Sequence, residues 1–291
     1  MPKREHRATQ DSTRLEASTI IPLMKQSDHH AAEMTRLVPS PASDTASRKE
    51  AATLDCQAVI LAGGLGTRMR PITETIPKPM IPVLGRPFLE QQLELLASFG
   101  FRRALILVAY LGEKIEQHFG DGRARGWELS YSYEPSPLGT GGALKNAETK
   151  LEDDFVVLNG DTLLMIDYDA VWRAFRQANA DAFVVAYEKS GSAIANTLAN
   201  RVPNNLAVAP DGRVTAYRKH APQNLTHVDA GVLFLRKGVL KKIPSAQPCS
   251  LEQEIFPRLI EGGRMHAWIT SEPFYDMGSP EGLQALEARL G

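Results

Sequence analysis

The stretch "QAVILAGGLGTRMRPITETIPKPMIP", Gln57 to Pro82, constrains the fold more than any other part of the 291-residue chain. A short apolar run too brief for a helix ends in glycines, which reads as a buried strand delivering its chain into a tight loop. Glycines let backbone N–H groups come close to a ligand, and Thr67, Arg68 and Arg70 follow at once. Arg68 offers a fork of donors suited to phosphate oxygens. Pro77-Lys78-Pro79 then brackets one lysine between prolines, which biases its backbone and holds it in place. A P-loop is excluded, because no Gly-Lys-Ser/Thr completes it. A dinucleotide fingerprint starting at Gly64 and Gly66 fails as well, since its third glycine falls on Met69.

The same alternation continues downstream. "RPFLEQQLELLASFG" places Phe88, Leu89, Gln92, Leu93, Leu95 and Leu96 at helical spacing, with Gly100 as a stop. "RALILVAY", "WELSYSYE", "DFVVLNGD", "DAFVVAYE" and "VDAGVLFL" read as strands. "LGEKIEQHFG", "GGALKNAETKL" and "DYDAVWRAFRQAN" read as helices between them. "NNLAVAPDGRVTAYRK" is a hairpin around Pro210-Asp211-Gly212. "SLEQEIFPRLIEGG" opens with a capping box, Ser250 with Gln253, and "SPEGLQALEARL" is a closing helix with Pro280 near its start. Strands alternating with helices predict an α/β fold, a mostly parallel sheet covered on both faces.

Residues 1–55 mix charges of both signs with Ser, Thr and Ala and show no sustained apolar period, as expected for a disordered extension. Residues 56–291 then form a single domain. The formal net charge of −1 provides no field to gather nucleic acid, and no apolar run approaches a membrane span. Two cysteines, Cys56 and Cys249, suit a reducing compartment, so the expected location is cytoplasmic. Asp161 closes "LNGD" at the carboxyl end of a strand, on the side of the glycine loop. Asp276, in "FYDMGSPEG", is a second acid from a distant segment, and two such carboxylates can share one Mg²⁺. Asp167 reads as a helix N-cap rather than a metal ligand, and Trp127, Trp172 and Trp268 read as core.

"LAGGLGTRMRP" with "PKPMIPVLGRP", followed in order by "PLGTGGAL", "LNGD", "DAGV" and "YDMGSPEG", resembles the sugar-1-phosphate nucleotidyltransferases, the NDP-sugar pyrophosphorylases, from about Gln57 to Leu290. "PLGTGGALK" and "SLEQEIFP" look most like the D-glycero-D-manno-heptose 1-phosphate guanylyltransferases, with kinship to N-acetylmuramate-1-phosphate uridylyltransferases. The resemblance implies a three-layer α/β/α, Rossmann-like, mostly parallel mixed sheet, the nucleotide-diphospho-sugar transferase fold, with a sugar-binding subregion around 190–276. It implies transfer of a nucleotidyl group from an NTP, GTP as best guess, to a sugar 1-phosphate, with Mg²⁺ as cofactor and release of pyrophosphate. A UTP- or dTTP-dependent relative, a glycosyltransferase and a non-catalytic nucleotide-sugar sensor are the competing readings. The implied partners are the NTP and the sugar 1-phosphate, and a homo-oligomer is compatible with them.

The residue roles implied are these. Leu61, Ala62, Gly63 and Gly64 lie against the base and ribose, and Gly139, Thr140 and Gly141 line the base and ribose side as well. Gly66, Thr67 and Arg68 hold the β- and γ-phosphates, and Lys78 bridges the α-phosphate and the sugar phosphate. Arg68, Lys78 and Asp161 are the catalytic set, with Asp161 and Asp276 holding the metal. Lys219, Asp229, Gly231 and Glu252 face the sugar phosphate. Two departures touch that pocket: Arg218 stands where many members carry Glu, and Asp229 where they carry Asn.

Overall fold

The computed structural model describes residues 53–189, 198–218 and 225–291. The expected disordered extension therefore lies outside the described residues up to position 52, as do Lys219 and His220.

A seven-stranded sheet forms the centre of the described chain. Its strands are β1 (Gln57–Leu61), β2 (Arg103–Val108), β3 (Glu128–Tyr133), β4 (Asp154–Asn159), β5 (Ala182–Tyr187), β6 (Val228–Arg236) and β7 (Met265–Thr270). They lie in the order β7-β5-β6-β4-β1-β2-β3. β1 runs parallel to β2 and β4, β2 to β3, and β5 to β7. Only β6 is antiparallel to its neighbours β4 and β5. The sheet is mostly parallel and mixed, as the alternation of elements predicts.

Alternate strand residues feed two cores, because successive side chains point to opposite faces. Ala58, Ile60, Ile106, Val156, Leu158 and Phe234 pack on one side. They meet α1 (Phe88–Ser98), α2 (Gly112–Phe119) and α4 (Tyr168–Gln177) through Leu89, Leu93, Ile115, Val171 and Phe175. Val59, Leu105, Leu107, Phe155, Val157 and Leu235 face the other side. There they meet α3 (Gly139–Asn146) and α5 (Phe256–Glu261) through Leu144, Phe256 and Leu259. The result is three layers, α/β/α. A third cluster seats α6 (Pro280–Leu290) through Leu286 against Met69, Ile81, Val83 and Met277, which anchors the basic loop from below.

Local chemistry sets the ends of these elements. The Asp167 side chain accepts the Ala170 N–H at 2.9 Å, the expected N-cap, and Asp169 is paired with Arg173 one turn on. Ser279 caps α6 by accepting the Gly282 N–H at 3.1 Å. The hairpin at Pro210–Gly212 joins Leu206–Val208 to Val214–Tyr217, with Gly212 at a positive φ. All three tryptophans are buried. The segment from Ser250 departs from a plain helix: Leu251–Ile255 forms a π turn before α5 starts at Phe256. Pro257 has no N–H to continue the preceding ladder, so the regular helix begins afresh around it. The capping box is altered in step. Ser250 Oγ accepts the Gln253 N–H at 3.2 Å, but the return bond to the Ser250 N–H, at 2.8 Å, comes from Glu254. The wider turn brings the side chain one residue further along over the helix start.

Candidate functional site

The carboxyl ends of β1 and β4 sit side by side, as their parallel pairing from Gln57 with Phe155 to Leu61 with Asn159 requires. The loop after β1 carries the glycines and the loop after β4 carries Asp161. Backbone ties the two together: Gly160 N–H donates to the Leu61 carbonyl at 3.0 Å, and a Cβ on Gly160 would stand 2.5 Å from that same oxygen. Glycine is required there because two main chains touch.

Gly66 is the second such position. It adopts a left-handed φ of 59°, and a Cβ would meet Thr73 Cγ2 at 2.8 Å and Lys78 Cβ at 3.3 Å. Thr73, buried, donates its hydroxyl to the Gly66 carbonyl at 2.9 Å. The glycine loop is thereby folded onto the segment that carries Lys78. Pro77 and Pro79, both buried, hold that segment on either side of the lysine. From outside, Tyr110 Oη and Lys114 Nζ donate to the carbonyls of Glu74 and Thr75.

Lys78 Nζ contacts the Asp161 carboxylate directly, with the lysine side chain only 11% exposed. Asp161 Oδ1 also accepts the Thr162 hydroxyl at 3.1 Å. Asp276 lies on the short strand Phe274–Asp276, whose antiparallel partner across from it is Thr162, next to Asp161. The Met277 N–H donates to the Asp161 carbonyl at 3.0 Å and the Gly278 N–H to Asp276 Oδ1 at 2.6 Å. Burial, then the charge of Asp161, push the Asp276 carboxyl above its usual range, against the pull of Lys78 and Arg68. Arg68 joins the group from the glycine loop: a Cβ on Gly278 would lie 2.8 Å from its Nη2 and equally far from Asp276 Oδ1. Two cations and two carboxylates from four separate segments thus meet at one sheet end. Two carboxylates brought to neighbouring positions by separate segments are hard oxygen donors of the kind that suits a divalent cation such as Mg²⁺.

On the far side of the glycine loop stands Glu134, which follows β3 and which no sequence motif singled out. Its Oε2 accepts the Leu138 N–H at 2.9 Å, and its Oε1 is so close to Gly63 that a Cβ there would sit 2.6 Å away. Burial raises its pKa. Its place at a strand's carboxyl end, just before "PSPLG", was the available signal. Gln92 falls at a core position of the helical pattern. It is 1% exposed, and its Nε2 donates to the carbonyls of Asn159 and Thr162 at 3.0 and 2.9 Å, clamping the turn that presents Asp161.

Gly139, Thr140 and Gly141 open α3, where Gly139 has φ 71°. They lie against the backbone of Cys249, whose carbonyl accepts the Gly141 and Gly142 N–H groups at 2.9 and 3.1 Å. The Thr140 hydroxyl donates to Glu252 Oε2 at 2.8 Å, so the expected nucleotide-side threonine reaches the expected sugar-side carboxylate. Asp229, on β6, accepts from Tyr217 Oη at 2.7 Å and from the Gly231 N–H at 2.8 Å. Burial pushes its carboxyl up to about 6, and the Glu252 charge acts in the same direction. Gly231 has φ 77°, and a Cβ on it would crowd Asn159 and Thr162 in the Asp161 turn. Arg218 is exposed. The chain thus brings Arg68, Lys78, Asp161 and Asp276 together, and separately Thr140, Glu252, Asp229 and Gly231.

Comparison with known proteins adds the following. Residues 57–290 match the family model described as Nucleotidyl transferase. A mannose-1-phosphate guanylyltransferase of Mycobacterium tuberculosis is 33% identical over 237 residues, covering 79% of this chain and 63% of that protein. A UTP–glucose-1-phosphate uridylyltransferase of Synechocystis is 34% identical over 254 residues, covering 80% of this chain and 63% of that protein. The chain thus spans less than two thirds of the length of these two relatives. A D-glycero-alpha-D-manno-heptose 1-phosphate guanylyltransferase of Aneurinibacillus thermoaerophilus is 29% identical over 240 residues, covering 80% of this chain and 98% of that protein. The crystal structure of HddC from Yersinia pseudotuberculosis superposes with a TM-score of 0.68 at 28% identity, over 81% of this chain and all of that one.

Proposed function

The chain belongs to the nucleotidyl transferase family, and from that premise we propose that it transfers a nucleotidyl group from an NTP to a sugar 1-phosphate, releasing pyrophosphate. The observation that carries this reading is the meeting of Arg68, Lys78, Asp161 and Asp276 at the ends of β1 and β4. The attacking group is a phosphate oxygen, anionic at neutral pH, so no general base is needed. The barrier lies in bringing two anions into line and in stabilising charge at the α-phosphorus. Arg68 and the N–H groups around Gly66 and Thr67 receive the β- and γ-phosphates. Lys78, held by its prolines, stands where the α-phosphate and the sugar phosphate come together. Asp161 and Asp276 would hold Mg²⁺, which when bound neutralises phosphate charge. Lys78 then exchanges its contact with Asp161 for phosphate oxygens. Asp229, Gly231 and Glu252 supply the sugar side, within the subregion 190–276, and Lys219 is assigned to the sugar phosphate by its place in the sequence.

For the base, Glu134 favours guanine. A carboxylate beside the base-facing loop accepts from the adjacent N1–H and N2–H₂ of guanine, while uracil and thymine present one N–H flanked by two oxygens that repel it. The heptose 1-phosphate named in the Aneurinibacillus relative is the sugar we assign. The second reading is a uridylyltransferase, which the Synechocystis relative favours.

The test is pyrophosphate release with Mg²⁺ across GTP, UTP, dTTP, CTP and ATP against heptose, mannose, glucose and N-acetylmuramate 1-phosphates. A GTP–heptose optimum is expected. Lys78→Ala and Asp161→Asn should each cost about 10²–10³ in rate, the usual loss when a group aimed at transition-state charge is removed. Full activity in both variants would falsify the assignment. A UTP optimum keeps the mechanism and moves the base assignment away from guanine.

A further inference from the structure

The segments on the nucleotide side and the sugar side are stitched to each other across 111 and 112 residues of sequence. The Leu251 N–H donates to Thr140 Oγ1 at 2.9 Å, and the Thr140 hydroxyl in turn donates to Glu252 Oε2 at 2.8 Å. The Ser250 hydroxyl donates to that same oxygen at 2.6 Å. Backbone bonds from Gly141 and Gly142 to the Cys249 carbonyl, and from the Cys249 N–H to the Leu138 carbonyl at 2.8 Å, complete the seam. The π turn over Leu251–Ile255 begins at this point, and irregular turns of this kind recur where a side chain must be aimed.

One consequence concerns the carboxylate itself. Two hydroxyl donors on one oxygen fix the plane of the Glu252 carboxylate and turn Oε1 away from the seam. Oε1 has no hydrogen bond among the described residues. Glu252 lies close enough to Asp229 and Tyr217 for its charge to add to the burial that raises both their pKa values, which places the carboxylate on the Asp229 side of the seam. A second consequence is directional. Thr140 sits in the first turn of α3, on the segment that faces the nucleotide, and a ligand seated against that segment also sets the carboxylate beyond it.

We propose that Thr140 is a positioning residue for sugar recognition: its hydroxyl aims Glu252 at a sugar hydroxyl and joins nucleotide seating to sugar seating. This rests on the nucleotidyl-transfer reading above. The residue acts through Glu252 and touches no reacting atom, so its removal has to show as a split between the two substrates.

The experiment is steady-state pyrophosphate release by wild type, Thr140→Val, Thr140→Ser and Glu252→Gln, with melting temperatures recorded in parallel. Thr140→Val keeps the shape and removes the hydroxyl. The expected result is a KM for the sugar 1-phosphate raised about tenfold, the loss associated with one hydrogen bond to a charged group. The KM for the NTP rises by clearly less than that for the sugar 1-phosphate. Thr140→Ser restores the sugar KM, and in a Glu252→Gln background Thr140→Val adds little further. If Thr140→Val does not fold, Ser250→Ala, which strips the other donor from Oε2, must shift the same constant in the same direction. Wild-type turnover with an unchanged sugar KM in Thr140→Val overturns this inference alone, as does an equal rise of both KM values. A wild type that turns over no pair in the substrate grid overturns the nucleotidyl-transfer reading and this inference with it.

Discussion

Asp229 is a carboxylate placed where it would rather hold a proton. The Tyr217 hydroxyl and the Gly231 N–H both donate to it, yet burial and the Glu252 charge outweigh them and push its pKa from 3.8 up to about 6. The sign of the stability effect follows. A group whose folded pKa lies above its unfolded one contributes most below the unfolded value and loses that contribution as pH rises through the folded value. The Asp229 contribution to stability should therefore fall between about pH 4 and about pH 6 and level off above. Asp229→Asn keeps the shape and removes the titration, so it should be more stable than wild type at neutral pH. The gain is at most ~3 kcal/mol, from 1.36 kcal/mol per pKa unit, and it should shrink towards zero near pH 4. Denaturant titrations of both proteins across that range check it. A difference between them that does not vary with pH would contradict the assigned cause. The same position illustrates what single residues disclose in sequence. The replacement of an expected Asn by Asp229 was visible, but the tyrosine on the neighbouring hairpin strand that meets it was not, because Tyr217 carries no mark of its partner.

At the scale of elements, legibility followed locality. β1, β2, β4 and β5 are continuous apolar runs buried on both faces, and such runs announce themselves. Asp167 caps its helix from within three residues, so local spacing was enough, and the Ser279 cap of α6 lies one residue before the Pro280 that marks the start of that helix. The capping box at Ser250 was half legible, because Pro257 and the π turn altered the reach of the return bond. Glu134 and Gln92 were missed as site residues for one reason: their partners lie far along the chain or across a loop, and no period encodes them. Gln92 shows what such a contact can do. It occupies a core-facing position of α1, where leucine would satisfy the helical pattern, and spends its amide on the carbonyls of Asn159 and Thr162, 67 and 70 residues away. Gln92→Leu preserves the apolar face and strips donors from two carbonyls in a buried setting. At ~1–3 kcal/mol for each carbonyl left unpaired the cost is about 2–6 kcal/mol, offset in part because the leucine also removes the buried, unpartnered Gln92 Oε1. Thermal and denaturant unfolding check the size. If the clamp matters for presenting Asp161, pyrophosphate release should fall in protein that is still folded. A variant as stable and as active as wild type would remove Gln92 from the supporting structure.

For the whole molecule, a net charge of −1 supplies no general attraction for a triphosphate, so affinity has to come from how few charges are arranged at one sheet end. Three layers hold four segments there: the β1 loop, the proline-bracketed lysine, the turn after β4 and the strand before α6. That arrangement presents Arg68 and Lys78 as cations, but Asp161 and Asp276 stand beside them and repel an unescorted triphosphate. Nucleotide binding should therefore depend on a divalent cation much more than on bulk charge. The whole fold reports it, because a ligand that binds only the native state stabilises that state by RT ln(1 + [L]/Kd), about 2.7 kcal/mol at a hundredfold excess over Kd. For a domain of this size, 1 kcal/mol moves the melting temperature by about 2–4 °C, so GTP with Mg²⁺ should raise it by roughly 5–10 °C. GTP with a chelator in place of Mg²⁺ should give less than about half that shift, since the two carboxylates then face the phosphates without compensation. Asp276→Asn should narrow the gap between the two conditions, because it removes one of the repelling charges and weakens the metal site together. Equal shifts with and without the chelator in wild type would leave Asp161 and Asp276 without a metal to hold, and the pairing of Lys78 with Asp161 would then have to be read as structural.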